Sequence, residues 1–315
     1  MDWTRRTVLG GALVGLVAGL GPVALPARAQ VTGGRIVTLD AFPSRHVAAR
    51  KVLVWLPAAY DARRSARFPV IYMHDGQNLF DGKSAFAGEW GVDEAITRMA
   101  ARGDLRDTIV VGIVNTSARY REYFPQKAAA HLPEAYRAAV LEMAGGPLLG
   151  DAYLRFIVEE LKPAIDRRFR TLAGPADTSM MGSSMGGLIS LYAIGEYPRV
   201  FGQAACLSIH LPLAAPMAPY SRPPEGPDAV ARALRAWLAG SAFDPARNRV
   251  YLDHGTVGLD ASYPPFAEAI DAMLPTLGWV PGRTFELRSF TGTEHNERAW
   301  RERIDIPLGF LDRRR

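Results

Sequence analysis

The chain alternates short, strongly apolar runs with longer amphipathic stretches, and this alternation restricts its fold more than any other feature. Residues 68–74, 108–114 and 201–208 form runs typical of buried β-strands. The longer segment 152–169 repeats its apolar residues at helical spacing. Strands that alternate with helices form a mostly parallel sheet with helices on both faces. The sequence therefore predicts an α/β fold.

The same patterns assign the remaining elements and indicate a sheet of about eight strands. The predicted strands are 35–40, 47–56, 68–74, 108–114, 178–181, 201–208, 249–253 and 284–290. The predicted helices are 89–102, 152–169, 185–196, 228–239, 263–277 and 296–311. A short polar turn joins the first two strands, which predicts an antiparallel pair. Segments 57–67, 115–150 and 212–227 are expected to be irregular.

Residues 1–29 have the three parts of an export signal rather than of a folded element. Arg5 and Arg6 come first, an apolar run follows over 8–23, and small residues surround a cleavage position at 27–29. The run is rich in glycine and too short for a stable transmembrane anchor. We therefore exclude this segment from the fold.

Residues 4–9 resemble the twin-arginine export motif, although an ordinary Sec signal with two adjacent arginines is the alternative. In either case the mature protein would begin near Gln30 and work in the periplasm or outside the cell. No linker or repeat interrupts 30–315, so we predict one domain there, with no stable membrane anchor once the signal is removed.

Composition excludes several classes of function. With 48% hydrophobic residues the chain is not disordered, and a net charge of +5, part of it in the signal, is weak for a polyanion binder. Basic residues are not interleaved with aromatic ones, so nucleic acid is not expected as a partner. The single cysteine, Cys206, lies in an apolar run and is expected to be a buried thiol.

The pentapeptide Gly-Ser-Ser-Met-Gly at 182–186 carries the main chemical signal. It matches Gly-x-Ser-x-Gly only with Ser184 at its centre, and it lies between a predicted strand and a predicted helix. This is the setting of a nucleophile elbow, in which a sharp turn exposes the serine at the start of a helix. The alternative is a glycine-rich turn whose serine merely caps the helix.

A nucleophilic serine needs a histidine base and an acid that orients it, in the chain order serine, acid, histidine. His295 follows the last predicted strand and precedes the final helix, so it is the predicted base. His210 is expected to line the pocket. The acid should follow strand 249–253, where Asp260 on the loop is preferred and Asp253 at the strand end remains open.

Two backbone N–H groups should stabilise the oxyanion of an acyl-transfer intermediate. Met185, the residue after the nucleophile, would supply one. Gln77 would supply the other from the loop after strand 68–74, where Gly76 allows a tight turn. His74 and Asp75 lack the spacing of a known metal motif, so neither a metal nor an organic cofactor is expected.

Several segments together resemble the putative-esterase family of α/β-hydrolases. This family includes esterase D-like enzymes, enterochelin-type trilactone esterases, feruloyl and acetyl-xylan esterases, and the antigen 85 mycolyltransferases. The resemblance extends over roughly residues 35–311. It is carried by 71–81, Gly112-Ile113, Arg119, Glu122-Tyr123, 182–187, 251–260, His295-Asn296-Glu297 and Trp300.

The resemblance implies a Ser184, Asp260 and His295 triad with an oxyanion hole from Gln77 and Met185. It also implies that Arg119 and Tyr123 border the substrate cleft. Family members place the acid at differing distances after the Gly-Thr pair, here Gly255-Thr256, which keeps Asp253 open.

We therefore predict an exported serine hydrolase that cleaves carboxylic esters through an acyl-enzyme intermediate. Its partner would be a small-molecule or glycan-linked ester. Two alternatives remain at this point. An acyltransferase would use the same triad to acylate a sugar or another alcohol, and a non-catalytic carbohydrate-binding relative would have lost catalysis altogether.

Overall fold

The computed structural model describes residues 31–83, 85, 88–213 and 226–312. The export signal predicted for 1–29 and most of the predicted loop 212–227 lie outside the described residues. Within the described part the chain forms a single α/β domain around one sheet of eight strands. The fold class predicted from the alternation of apolar runs is therefore confirmed.

The sheet has the strand order β1-β2-β4-β3-β5-β6-β7-β8. The strands are β1 Gly34–Phe42, β2 Arg50–Pro57, β3 Val70–His74, β4 Ile109–Ile113, β5 Thr178–Ser183, β6 Gln203–Leu207, β7 Arg249–Gly255 and β8 Phe285–Phe290. The first two strands pair antiparallel, as predicted, and β2 also pairs antiparallel with β4. Every other pairing is parallel.

Helices cover both faces of the sheet, and this explains why its central strands are continuously apolar. The helices are Ala58–Ala62, Val92–Arg102, Arg119–Glu122, Gln126–Ala129, Glu134–Ala144, Gly150–Arg155, Lys162–Arg168, Met185–Glu196, Gly226–Ala239, Pro264–Met273, Glu297–Arg303 and Asp305–Asp312. Tyr72 packs into the core on one face and Met73 into the core on the other. Among the described residues, no helix has both the length and the apolar character needed to cross a membrane.

Segment 115–150 differs from its prediction as an irregular region. It contains three short helices and the start of a fourth, beginning with Arg119–Glu122. Glu122 is buried and accepts hydrogen bonds at 2.8 and 2.7 Å from both terminal nitrogens of the buried Arg50. A helix of four residues is not stable alone, so long-range contacts of this kind hold it.

Three further predictions of regular structure need correction. Segment 57–67 contains the helix Ala58–Ala62 rather than only a loop, and the predicted helix 152–169 passes through a π-helical stretch, Phe156–Leu161. The predicted helix 296–311 is two helices that divide near Ile304. A five-residue helix, a π-helical stretch and a break between two helices are each too local for hydrophobic periodicity to resolve.

Candidate active site

Polar side chains gather at the carboxyl ends of the parallel strands. Ser184 follows β5, Asp260 follows β7 and His295 follows β8. Because β5 to β8 are parallel neighbours, these ends share one edge of the sheet. Open α/β sheets bind their ligands at this edge.

Ser184 occupies a sharp bend between β5 and the helix Met185–Glu196. Its backbone has φ 55° and ψ −123°, a conformation that costs a residue other than glycine about 1–3 kcal/mol. Two hydrogen bonds hold the bend, from the Ser184 N–H to the Leu207 carbonyl at 2.9 Å and from the His210 N–H to the Ser184 carbonyl at 3.2 Å. The Ser184 side chain makes no capping hydrogen bond to the helix.

Close packing at this bend favours both glycines of the pentapeptide, most strongly Gly182. A Cβ atom on Gly182 would stand 2.7 Å from the carbonyl carbon and oxygen of Gly186. A Cβ atom on Gly186 would stand 3.2 Å from the Cβ of His74. The spacing of the motif therefore follows from the tight contact between the strand, the turn and the helix.

Asp260 and His295 form a directly hydrogen-bonded pair. The Nδ1 atom of His295 lies 2.6 Å from Oδ1 of Asp260, whose side chain is fully buried. The other oxygen, Oδ2, accepts from the Ser208 hydroxyl at 2.7 Å and from the Gly255 N–H at 2.6 Å. Burial raises the pKa of Asp260, but the His295, Ser208 and Gly255 donors outweigh it, and the pKa lies below its usual value. The carboxylate is therefore ionised at neutral pH.

Asp253, the other candidate acid, is bonded mainly by other donors and is linked to Asp260 through Ser208. Both of its oxygens accept hydrogen bonds from Arg303, at 2.9 and 3.1 Å. Oδ1 also accepts from the Ser208 N–H at 2.7 Å, and Oδ2 accepts from the Tyr251 hydroxyl at 3.0 Å. In this structure Asp253 is thus the counterion of Arg303, and Asp260 is the carboxylate bonded to His295.

Aromatic rings fix the orientation of the His295 imidazole. Tyr263 and Trp300 meet it edge-on, with ring centroids 5.8 and 5.2 Å away. The Tyr263 hydroxyl lies 2.8 Å from Nδ1 of His210, the residue whose backbone bonds Ser184. His210 and Tyr263 therefore connect the serine turn to the imidazole across the end of β6.

His210 is buried beside Tyr263 and His295 and is held in its neutral form. Burial lowers the pKa of His210 to about 3, and the neighbouring His295 acts in the same direction. His210 is only 2% exposed. Its predicted place in the wall of the pocket stays a prediction.

The loop after β3 supplies the second candidate oxyanion donor. Asp75 has left-handed backbone angles and leads into the 3₁₀ turn Gly76–Asn78. A Cβ atom on Gly76 would stand 2.6 Å from the carbonyl carbon of Gly112, so glycine allows the turn to lie against β4. Gln77 is in the middle of this turn, and its side-chain oxygen accepts from the Asn115 N–H at 3.4 Å. Met185 is the first residue of its helix, so its N–H has no partner within the helix.

Arg119 and Tyr123 both contact Asp75 at the start of this turn. Arg119 donates from Nε and Nη2 to the two oxygens of Asp75, at 2.8 and 2.7 Å. The Tyr123 hydroxyl accepts from the Asp75 N–H at 3.3 Å, and the Tyr123 ring is fully buried. The structure thus places Tyr123 beneath the turn, whereas the Arg119 side chain is 31% exposed.

Sequence reasoning missed three residues that support the candidate pair. Ser208 bonds Asp260, Tyr263 contacts both histidines, and Arg303 donates to Ser208 at 2.9 Å. Only Ser208 carried a usable signal, because it stands at the end of a central strand. In the described part of the chain, no three His, Cys, Asp or Glu side chains are grouped so as to hold a metal ion.

The eight-stranded sheet and the serine at its strained strand-to-helix turn define an α/β-hydrolase. Within that class the chain belongs to the putative esterase family, whose model matches residues 47–307. The family resemblance seen in the sequence is thereby confirmed.

Two curated proteins of Bacillus subtilis strain 168 are similar to parts of this chain. The uncharacterized protein YbbA is 30% identical over 159 residues, which are 50% of this chain and 56% of YbbA. The ferri-bacillibactin esterase BesA is 28% identical over 142 residues, covering 43% of this chain and 45% of BesA. The chain thus matches about half the length of each relative.

Solved structures share the fold at low sequence identity. The enterobactin esterase FES from Shigella flexneri superposes with a TM-score of 0.63 at 17% identity, covering 90% of this chain and 61% of that protein. A ferulic acid esterase superposes with a TM-score of 0.59 at 17% identity, covering 89% and 97%. At these identities the likeness establishes the architecture.

Proposed function

We propose that this chain is a serine esterase in which Ser184 is the nucleophile, His295 the general base and Asp260 the orienting acid. The observation that carries the proposal is the 2.6 Å hydrogen bond between His295 and the buried Asp260, at the same sheet edge as the strained Ser184. A serine, a carboxylate and an imidazole in this chain order are the elements of a catalytic triad.

The proposed reaction proceeds through a covalent acyl-enzyme. His295 takes the proton of the Ser184 hydroxyl as the oxygen attacks the ester carbonyl, and the ionised Asp260 stabilises the imidazolium that forms. The N–H groups of Gln77 and Met185 would stabilise the oxyanion of the tetrahedral intermediate. His295 then gives its proton to the leaving alcohol, and an activated water releases the acid and restores Ser184.

The proposed substrates are carboxylic esters of small molecules or of sugars. The relatives' names support this class, because they describe esterases of ferri-bacillibactin, enterobactin and ferulic acid. We also propose that residues 1–29 direct export and that the mature enzyme works in the periplasm or outside the cell. The twin arginines and the apolar run of the sequence support this placement.

Labelling with a fluorophosphonate probe tests the nucleophile, and the motif itself supplies the control. Ser183 and Ser184 are adjacent, so Ser183→Ala and Ser184→Ala differ only in which hydroxyl is removed. We expect labelling of wild type and Ser183→Ala, and none of Ser184→Ala. Hydrolysis of p-nitrophenyl esters of graded chain length should follow the same pattern. A probe bound elsewhere, or an active Ser184→Ala variant, would contradict the proposal.

A further inference from the structure

The turn that carries Gln77 depends on an aspartate in an unusual backbone conformation. Asp75 has φ 55° and ψ 47°, between the end of β3 and the 3₁₀ turn Gly76–Asn78. This left-handed region is visited by aspartate more readily than by most residues, but it still needs support from its surroundings. The direction of the Gln77 N–H therefore depends on what holds Asp75.

The Asp75 carboxylate is held by three donors. Arg119 donates to both oxygens, and the Asn115 side-chain amide donates to Oδ1 at 2.6 Å. Bidentate pairs between arginine and a carboxylate fix orientation as well as charge. Burial raises the pKa of Asp75, but Arg119 and Asn115 more than offset it, and the pKa falls below its usual value. Asp75 is therefore an anion at neutral pH.

This anion lies against the nucleophile turn. Its Oδ2 atom is 3.5 Å from the place where a Cβ atom on Gly186 would stand, and Gly186 is two residues after Ser184. The first turn of the helix Met185–Glu196 should stabilise negative charge on the attacked oxygen. An uncompensated carboxylate at this position would oppose the same charge.

We propose that Arg119 is a positioning residue for the oxyanion hole and acts through Asp75. Its guanidinium cancels the carboxylate charge beside the helix and holds Asp75 in the conformation that directs the turn toward the reacting carbonyl. This inference rests on the proposed serine-esterase function. It assigns Arg119 to the turn instead of to the binding of substrate.

The first test separates binding from chemistry with the uncharged substrate p-nitrophenyl acetate. We expect Arg119→Met to lower kcat by about 10²-fold with KM within about twofold, because an oxyanion defect acts on the transition state. Arg119→Lys keeps the positive charge but loses the bidentate guanidinium, so its kcat should lie between those of Arg119→Met and wild type. Arg121→Met on the same helix is the control, since Arg121 bonds the Pro147 carbonyl, and it should match wild type.

The second test is a rescue. Asp75→Asn combined with Arg119→Met removes the uncompensated charge, and asparagine tolerates the left-handed backbone. We expect this double variant to recover kcat at least about tenfold over Arg119→Met, as coupled neighbours should. No recovery, or a rise in KM with kcat unchanged in Arg119→Met, would overturn the inference in favour of a substrate anchor.

Two controls keep the outcomes distinct. Thermal unfolding of each variant identifies loss of fold, and Arg119→Lys then carries the test if Arg119→Met does not fold. Fluorophosphonate labelling of wild type at Ser184 reports on the proposed function independently. If wild type is not labelled, the esterase proposal fails, whereas a labelled wild type without rescue refutes only the role of Arg119.

Discussion

Ser184 combines the proposed nucleophilic hydroxyl with a strained backbone, and mutations can test the strain apart from the hydroxyl. Both Ser184→Ala and Ser184→Gly remove the hydroxyl, and neither loses a helix cap because the side chain forms none. Glycine adopts φ 55° freely, which should relieve about 1–3 kcal/mol of strain, partly offset by the entropy of glycine in the unfolded chain.

We therefore expect Ser184→Gly to be about 1 kcal/mol more stable than Ser184→Ala in urea unfolding, with both inactive. In most other positions the order would be reversed, because alanine constrains the unfolded chain more than glycine does. An alanine variant as stable as the glycine variant would mean that the bend is not strained.

The two candidate acids should respond differently to the same substitution. Asp260→Asn loses the ionised partner of His295, so we expect kcat to fall by about 10³–10⁴-fold while the fold persists. Asp253→Asn leaves Arg303 buried without its counterion, which should cost about 3–5 kcal/mol of stability. Ester hydrolysis and thermal unfolding of both variants check this, and a folded, inactive Asp253→Asn would reverse the assignment.

Two buried histidines should make stability depend on pH. Burial lowers the pKa of His74 and of His210 to about 3. Between about pH 6.5 and pH 3 the unfolded chain takes up protons at these sites and the folded chain does not. Stability is thus full above the unfolded pKa and falls on acidification by about 1.4 kcal/mol per pH unit for each histidine.

Urea unfolding from about pH 7 to about pH 5 checks the sign and the source of this dependence. His210→Asn keeps an acceptor or donor for Tyr263 and should flatten the slope by about one histidine's contribution. The exposed His131 supplies the control, His131→Asn. Equal slopes for His210→Asn and wild type would exclude His210 as a source.

At the scale of elements, the connection between β5 and the helix Met185–Glu196 is sterically restricted. Gly182→Ala would place a Cβ atom 2.7 Å from backbone atoms of Gly186, so the strand or the helix must move. We expect a loss of about 1–3 kcal/mol and a large loss of esterase activity. Gly174→Ala is the matched control, because a Cβ atom on Gly174 would meet nothing within 4 Å, and it should stay within about 0.5 kcal/mol of wild type.

The elements that sequence predicted well are those whose stability comes from a continuous apolar pattern. The central strands β3 and β4 are buried on both faces, so every residue in them is apolar or nearly so. The short helix Arg119–Glu122 carries no such pattern, since the buried pair of Glu122 with Arg50 holds it from 72 residues away. Local periodicity cannot report a contact of that range.

The candidate site was predictable to the extent that topology determines it. Chain order and the rule that parallel strands end at one edge were enough to predict the sheet edge that Ser184, Asp260 and His295 share. The supporting contacts were not accessible in this way. The pairing of Asp75 with Arg119 spans 44 residues and depends on where a short helix packs, which no local pattern encodes.

For the whole molecule, the proposed export route makes a prediction about the N-terminal segment. Replacing Arg5 and Arg6 by lysines should block twin-arginine export, so the protein should stay in the cytoplasm with its signal attached. Arg28→Lys keeps the arginine pair and should be exported and cleaved before Gln30. Cell fractionation and mass spectrometry of the N-terminus check both. Export of the lysine variant at the wild-type level would indicate the general secretory route instead.

The one sulfhydryl of the chain has a consequence for the proposed export. Cys206 lies fully buried in β6 against the helix Met185–Glu196, with its Cβ atom 3.3 Å from the place where a Cβ atom on Gly187 would stand. Burial also raises the pKa of this thiol, which suppresses the reactive thiolate. On the proposed export route, such a chain would need no oxidative maturation and would carry no accessible sulfhydryl to cross-link in an oxidising compartment.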